Sequence, residues 1–134
     1  MKLYKNFNIS KNHKSSIILI GNFDGVHVGH QKLFKLANSY KKKFNLNIGV
    51  LTFEPMPKMF FNKDIKNFRI SNINQKNIIL KSLGVDFAIT QKFDKKFSKI
   101  KSDFFIKEIL SKKFEAKYIF VSNNFKFGNK REGD

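Results

Sequence analysis

Hydrophobic positions along the chain change spacing repeatedly, from short unbroken runs to helical repeats and back, and that change predicts alternating strands and helices. Ser15 to Ile20 reads as a buried strand, because Ile17, Ile18, Leu19 and Ile20 stand unbroken between polar residues and Gly21. A parallel strand covered on both faces is apolar at every position. From His30 to Phe44 the positions Leu33, Leu36, Ala37, Tyr40 and Phe44 keep helical spacing, and Lys41, Lys42 and Lys43 close the helix as solvated partners of its dipole. Asn47 to Phe53 is the second strand. It leaves through Glu54-Pro55-Met56-Pro57, whose prolines force an extended exit.

Ser71 can cap a helix from about Ile73 to Leu83, with Ile79, Leu80 and Leu83 on its apolar face and Gly84 as a left-handed terminator. Val85 to Thr90 is the third strand, a helix from Ser102 or Asp103 to Lys113 follows on Phe105, Ile106, Ile109 and Leu110, and Lys117 to Val121 is the fourth strand. Residues 1 to 14 hold a weak edge-strand or lead-in pattern on Leu3, Tyr4, Phe7 and Ile9, and His13 reads as an exposed loop histidine beside Lys14. Alternation throughout predicts an α/β class, a Rossmann-like, doubly wound parallel sheet with right-handed crossovers. In such sheets ligands sit at the carboxyl ends of strands, so the loops after Ile20 and Phe53 should be neighbours.

The chemistry gathers in Gly21-Asn22-Phe23-Asp24-Gly25-Val26-His27-Val28-Gly29-His30. A strand, a Gly-bearing turn and a helix entrance together aim backbone N–H groups at a bound anion. Two imidazoles three apart with Gly29 between them can share one face of the opening helical turn. Each can donate a hydrogen bond or carry a proton, and Gly29 leaves no Cβ on a surface that a base or ribose would approach. Such donors, fixed in advance, stabilise charge that develops as a nucleotidyl group is transferred. Zinc is a poor reading of the pair, since a catalytic zinc site needs a third protein ligand and none falls at helical spacing.

His27-Val28-Gly29-His30 resembles the HxGH signature of the nucleotidylyltransferase superfamily, and the longer block resembles bacterial FAD synthetase, the N-terminal adenylyltransferase module of bifunctional riboflavin kinase/FMN adenylyltransferases. Thr52 to Pro57, Gly84-Val85-Asp86, and Asn123 to Gly128 running into Arg131 to Asp134 agree in the same order. The resemblance implies the nucleotidylyltransferase type of fold, incomplete at the C-terminus, and an FMN adenylyltransferase: ATP and FMN as substrates, FAD and pyrophosphate as products, by direct transfer. It implies His27 and His30 as catalytic residues on the ATP phosphates. Gly21, Asn22, Phe23, Asp24, Gly25, Gly29 and Asn124 would bind nucleotide, and Phe53, Pro55, Pro57, Phe60, Arg69, Phe125 and Phe127 would wall the flavin site. On packing grounds, ordinary core packing is the better reading for any single aromatic of 58 to 69.

Mg2+ is expected, held mainly by substrate phosphates; Asp24 either assists it or serves as a turn residue. Ser122, Lys126 and Met56 depart from the usual Gly, Arg and polar residue of the resembled blocks. A second motif of the Ser-Ser-Thr-x-x-Arg type and a riboflavin kinase module follow in that family and are not found in these residues, so 1–134 reads as the N-terminal part of the adenylyltransferase domain. Two alternatives stay open, another HxGH transferase with a different phosphate acceptor and an inactive fragment.

Composition narrows this little further. The 134 residues, 41% hydrophobic and with 17 Phe, are enough for one domain with a real core. A formal charge of +17 raises nucleic acid as a partner. Yet only Arg69 and Arg131 are arginines, and the lysines are spread along the chain rather than clustered, so a solvated surface is the better reading and no specific nucleic-acid partner is expected. Absence of cysteine excludes disulfides, a thiolate metal site and a cysteine nucleophile. With no signal pattern and an aliphatic run too short for a bilayer, the expectation is no membrane partner and a cytoplasmic location.

Overall fold

In a computed structural model of the chain, residues 1–21, 23, 28–54, 73–92, 99–100 and 102–122 are described, with backbone alone at 28, 29, 54, 73, 74 and 102. Five strands form one sheet: β1 (Lys2–Tyr4), β2 (Ile17–Ile20), β3 (Ile48–Glu54), β4 (Phe87–Lys92) and β5 (Tyr118–Val121). Their order is β1-β4-β3-β2-β5, and every pairing is parallel. The apolar run predicted as the first buried strand is the sheet's central rail, with all four residues of β2 at most 1% exposed. Each such side chain contributes about 1.5–3 kcal/mol relative to remaining in water. The weak lead-in pattern is strand β1, on the sheet's edge beside β4.

Helices cover both faces. α1 (Val28–Phe44) and α2 (Ile73–Ser82) pack on the face of Ile17, Leu19, Ile48 and Val50, through Phe34, Ala37 and Leu80. The other face, with Ile18, Ile20, Leu51, Phe53, Phe87 and Ile89, receives α3, which opens at Ser102–Phe104 and continues as a π-helix over Phe105–Lys113. The expected doubly wound α/β class is therefore what the strand order and the two helix layers form.

Several local expectations are corrected. On α1 the face is centred on Phe34, 1% exposed, whereas Leu36 and Phe44 are 45% and 44% exposed. On α3 the spacing Phe105, Ile109, Leu110, Phe114 follows the wider π turn, closed by the bond from Phe114 N–H to the Ile109 carbonyl. That winding turns Ile106 out to 53% exposure, where an α-helix would have kept it with Phe105. Lys41 is no mere solvated dipole partner, because its Nζ donates to Asp86 Oδ2 at 2.9 Å and to the Gly84 carbonyl at 3.0 Å. The proposed cap Ser71 lies outside the described residues.

Gly84 does end α2 in the left-handed region, at φ +91°. Val85 N–H donates to the Leu80 carbonyl and Gly84 N–H to that of Lys81, the two bonds of a Schellman end. A Cβ there would also stand 2.5 Å from Asn38 Oδ1, the side chain that ties α1 to the end of α2.

His13 is the last correction at this end of the sheet. It is half-buried rather than exposed, its ring stacked on Phe87 with centroids 4.5 Å apart and its Nδ1 2.7 Å from the Tyr4 hydroxyl. Burial holds its pKa below the ordinary 6.5, against the pull of Asp86 and with a further push from Lys2. A sequence lying between polar residues had suggested a loop, and the stacking comes from a strand some seventy positions away, which no local pattern carries.

Candidate active site

After β2 the chain crosses to β3 on one side of it, while β5 returns on the other. The carboxyl ends of β2 and β5 therefore border the place where the winding reverses, the ordinary ligand crevice of an open α/β sheet. Two backbone bonds tie the end of β2 to its neighbours: Gly21 N–H donates to the Leu51 carbonyl of β3 at 3.2 Å, and Ser122 N–H, just past β5, donates to the Ile20 carbonyl at 2.9 Å. A Cβ on Gly21 would lie 2.5 Å from Ser122 Oγ and 3.0 Å from the tip of the Phe23 ring. No larger residue fits that approach unless the serine moves.

Phe23 occupies the left-handed region at φ +52° with a fully buried ring. For a bulky residue that backbone costs about 1–2 kcal/mol, a cost offset by burying the ring, worth about 1.5–3 kcal/mol. The ring meets Phe34 with centroids 5.4 Å apart and His30 at 5.0 Å, edge-on. Strained backbone of this kind concentrates where a loop is held in a shape that function requires.

His30 stands in the first turn of α1, so the helix axis points its positive end at the same crevice. It is half-buried, with Nδ1 shielded from solvent. Phe23 thus acts as a shelf that fixes the imidazole plane, and Phe34 holds the shelf from below. The sequence pattern pointed to Gly21, Phe23 and His30 together, and they are neighbours here, with the Gly29 backbone opening the same helix. Neither Phe34 nor Ser122 had been read as part of the site. Phe34 could have been found from its i,i+4 relation to His30, which puts the two on one stripe of α1.

His27, Asn22, Asp24, Gly25, Pro55, Pro57, Phe60, Arg69, Asn124, Phe125 and Phe127 lie outside the described residues. Phe53, expected to wall a flavin site, is 1% exposed on the opposite face of the sheet, packed against Phe105 at 6.3 Å. Its ring serves the core beneath α3 in this structure. A groove of about 620 Å³ along the outer side of α3, lined by Lys99, Ile100, Asp103, Phe104, Lys107 and Glu108, carries none of the candidate site residues.

The chain is similar to known proteins in sequence and in fold. The family model described as FAD synthetase matches residues 9–134. The bifunctional riboflavin kinase/FMN adenylyltransferase of Buchnera aphidicola from Schizaphis graminum is 40% identical, over all of this chain and 43% of that protein. The one of Escherichia coli K12 is 36% identical over the same whole chain and 44% of its own length. The chain thus spans less than half the length of these relatives. Among solved structures, one described as a macrolide-efflux protein from Streptococcus pneumoniae superposes with a TM-score of 0.77 and 28% identity, over 98% of this chain and 43% of that one.

Proposed function

The chain belongs to the FAD synthetase family, and on that premise we propose that residues 1–134 form an FMN adenylyltransferase domain, joining the adenylyl group of ATP to the phosphate of FMN. A phosphate oxygen of FMN attacks the α-phosphorus of ATP, the bond from that phosphorus to the bridging oxygen of the β-phosphate breaks, and FAD and pyrophosphate leave. No protein nucleophile takes part. Catalysis comes from orientation and from stabilising charge on the α-phosphate oxygens and the departing pyrophosphate.

The observation that carries this reading is the juxtaposition of Gly21, Phe23 and His30 at the reversal of the sheet, with the α1 entrance behind them. The glycine lets Ser122 and the Phe23 ring close onto the end of β2, and the Phe23 ring keeps the His30 imidazole in one plane. His27 belongs with His30 as a donor to the phosphates by the HxGH resemblance, and Asn22, Asp24, Gly25 and Asn124 as nucleotide contacts on the same grounds. Pro55, Pro57, Phe60, Arg69, Phe125 and Phe127 are assigned to flavin by resemblance alone. Mg2+ would be held mainly by the substrate phosphates, with Asp24 the residue that would assist, and would offset their charge during transfer.

Among the described residues no helix is long and apolar enough to cross a membrane, and a cytoplasmic setting goes with the proposed substrates. The test is direct: incubate the chain with ATP, Mg2+ and FMN, and follow FAD by chromatography and pyrophosphate by a coupled assay. FAD and pyrophosphate in equal amounts are expected, and His27→Ala should lower kcat about 10²-fold or more, as loss of one oxyanion donor does. Pyrophosphate release with another phosphate acceptor but not with FMN would reassign the acceptor.

A further inference from the structure

Ser122 is the first residue past β5, and the sheet fixes where its side chain goes. Its N–H donates to the Ile20 carbonyl, and in the register of β2 with β5 it stands beside Gly21. On β2, Ile17 and Leu19 face the α1 layer; on β5, Tyr118 and Phe120 pack against the same cluster, while Val121 packs against the other. Alternation therefore carries Gly21 and Ser122 to the α1 side, the side of His30. The distances agree. Ser122 Oγ, Ser122 Cβ and the tip of the Phe23 ring all lie within 3.0 Å of the point where Gly21 would carry a Cβ.

The serine side chain and the Phe23 ring thus close on one small space from two sides. Phe23 needs such neighbours, because its φ of +52° is a backbone that a bulky residue keeps only where its surroundings over-determine it. Phe34 and His30 meet the fully buried ring at 5.4 Å and 5.0 Å between centroids, and Gly21 and Ser122 enclose its tip. Taking away the serine side chain opens a gap there. A gap of roughly 0.5–1 Å forfeits about a quarter to a half of the dispersion contact across it.

We propose that Ser122 is a positioning residue for adenylyl transfer, acting through Phe23 on the placement of the His30 imidazole. Its effect passes from its own side chain to one ring, and from that ring to the next. Glycine is usual here in the resembled blocks, so the serine is a wedge particular to this chain, one that a glycine cannot supply. The assignment rests on the adenylyl-transfer reading above and names a residue that serves it.

Two experiments on the chain test it, and the first needs no turnover. In NMR spectra of the three histidine rings, with His30 identified by the signal lost in His30→Gln, Ser122→Gly should shift the His30 resonances, because the Phe23 ring lies edge-on to that imidazole. Those of His13, at the other end of the sheet, should stay where they are. Ser122→Ala, which keeps the Cβ, should fall between serine and glycine. In steady-state kinetics Ser122→Gly should lower kcat about tenfold, with the KM for ATP and for FMN within twofold, since a misplacement of about 1 Å can cost about 10²-fold. In a His30→Ala background the same change should lower kcat less than twofold, because the ring through which it acts is gone. Additive losses, or His30 resonances unmoved by Ser122→Gly, overturn the positioning role and leave the transferase reading intact. No FAD from the unaltered chain overturns that reading instead, and the His30 resonances still decide whether Ser122 places the ring. Should the Gly variant not fold, Ser122→Val, which crowds the tip of Phe23, is measured in its place with the same expectations. Failure of both to fold makes Ser122 a requirement of the fold and overturns the assignment.

Discussion

The two ends of the sheet use the same kinds of residue for opposite ends. At the amino end His13, Tyr4, Ser10 and Asn12 bond to one another, while Lys41 and Asp86 join α1 to the start of β3 and β4, Asp86 also accepting from Ile48 N–H at 2.9 Å. At the carboxyl end stand a histidine on the first turn of a helix and a phenylalanine held in a left-handed backbone. Polar groups that answer one another inside the fold stabilise it. A helix entrance where the winding reverses is, by contrast, the ordinary ligand crevice of an open α/β sheet.

The largest expected effect separates the two histidines. His30→Ala should lower kcat for adenylyl transfer about 10²-fold, equivalent to about 2.7 kcal/mol of transition-state stabilisation, with thermal stability little changed. His13→Ala should leave kcat within a factor of two and lower the melting temperature. Equal losses of activity from both would erase the distinction between the ends.

Glycines give the next contrast. A Cβ on Gly49 would stand 2.2–2.8 Å from the Phe87 ring, which is buried and stacked on His13 and has no free direction to move. Gly49→Ala should therefore destabilise by about 3 kcal/mol, the upper part of the range for overpacking, read as a shift in the urea midpoint. Gly21→Ala meets a serine hydroxyl that can rotate away from it. Its stability loss should be the smaller of the two, about 1 kcal/mol, while its ATP turnover falls. The reverse ranking would mean that the carboxyl-end loop is as rigid as the core.

Asp86 is a smaller lever on the amino end. Asp86→Ala removes the acceptor of Lys41 and of the Ile48 amide together, and leaving that amide without its partner should cost about 1–3 kcal/mol. The exposed share of the Lys41 pair, about a third for each side chain, adds little to this. Transfer activity of the folded variant should be unaffected.

How much of this could be read from residues alone follows the same division by range of interaction. The four main strands and three helices appear within one or two residues of where the apolar patterns put them at most ends, because each pattern is a property of a short window. The left-handed stop at Gly84 was legible for the same reason. Phe23 was not, since nothing in a Gly-Asn-Phe-Asp-Gly stretch says that the bulky Phe23 takes a positive φ. The π winding of α3 was hidden because Phe105, Ile109 and Leu110 satisfy both periods, and only Phe114 and the outward Ile106 separate them. His13 and Lys41 were misjudged as solvent-facing because their partners, Phe87 and Asp86, come from the start of another strand. The motif put Gly21 and His30 in one short stretch, and both lie against the Phe23 ring, a contact that no local pattern announced.

The weakest effect is the pH response of the amino end. Burial lowers the pKa of His13 below 6.5, with Asp86 opposing and Lys2 assisting, while the Tyr4 hydroxyl and the stacked Phe87 ring face the neutral imidazole. Because the unfolded chain keeps the higher pKa, it binds more protons than the folded chain as pH falls below 6.5, and stability rises with pH through that window. The contribution of His13 is thus fully present above pH 6.5 and is lost as pH falls through the lowered folded value. Urea melts of the chain and of His13→Gln at pH 7.5 and 5.5 isolate it, since every other titrating group is common to both. The unaltered chain should lose more stability than the variant between the two pH values. A wild-type chain that gains on the variant as pH falls would mean that His13 is held charged by Asp86, and the amino end would then contain an electrostatic site of its own rather than a self-satisfied network.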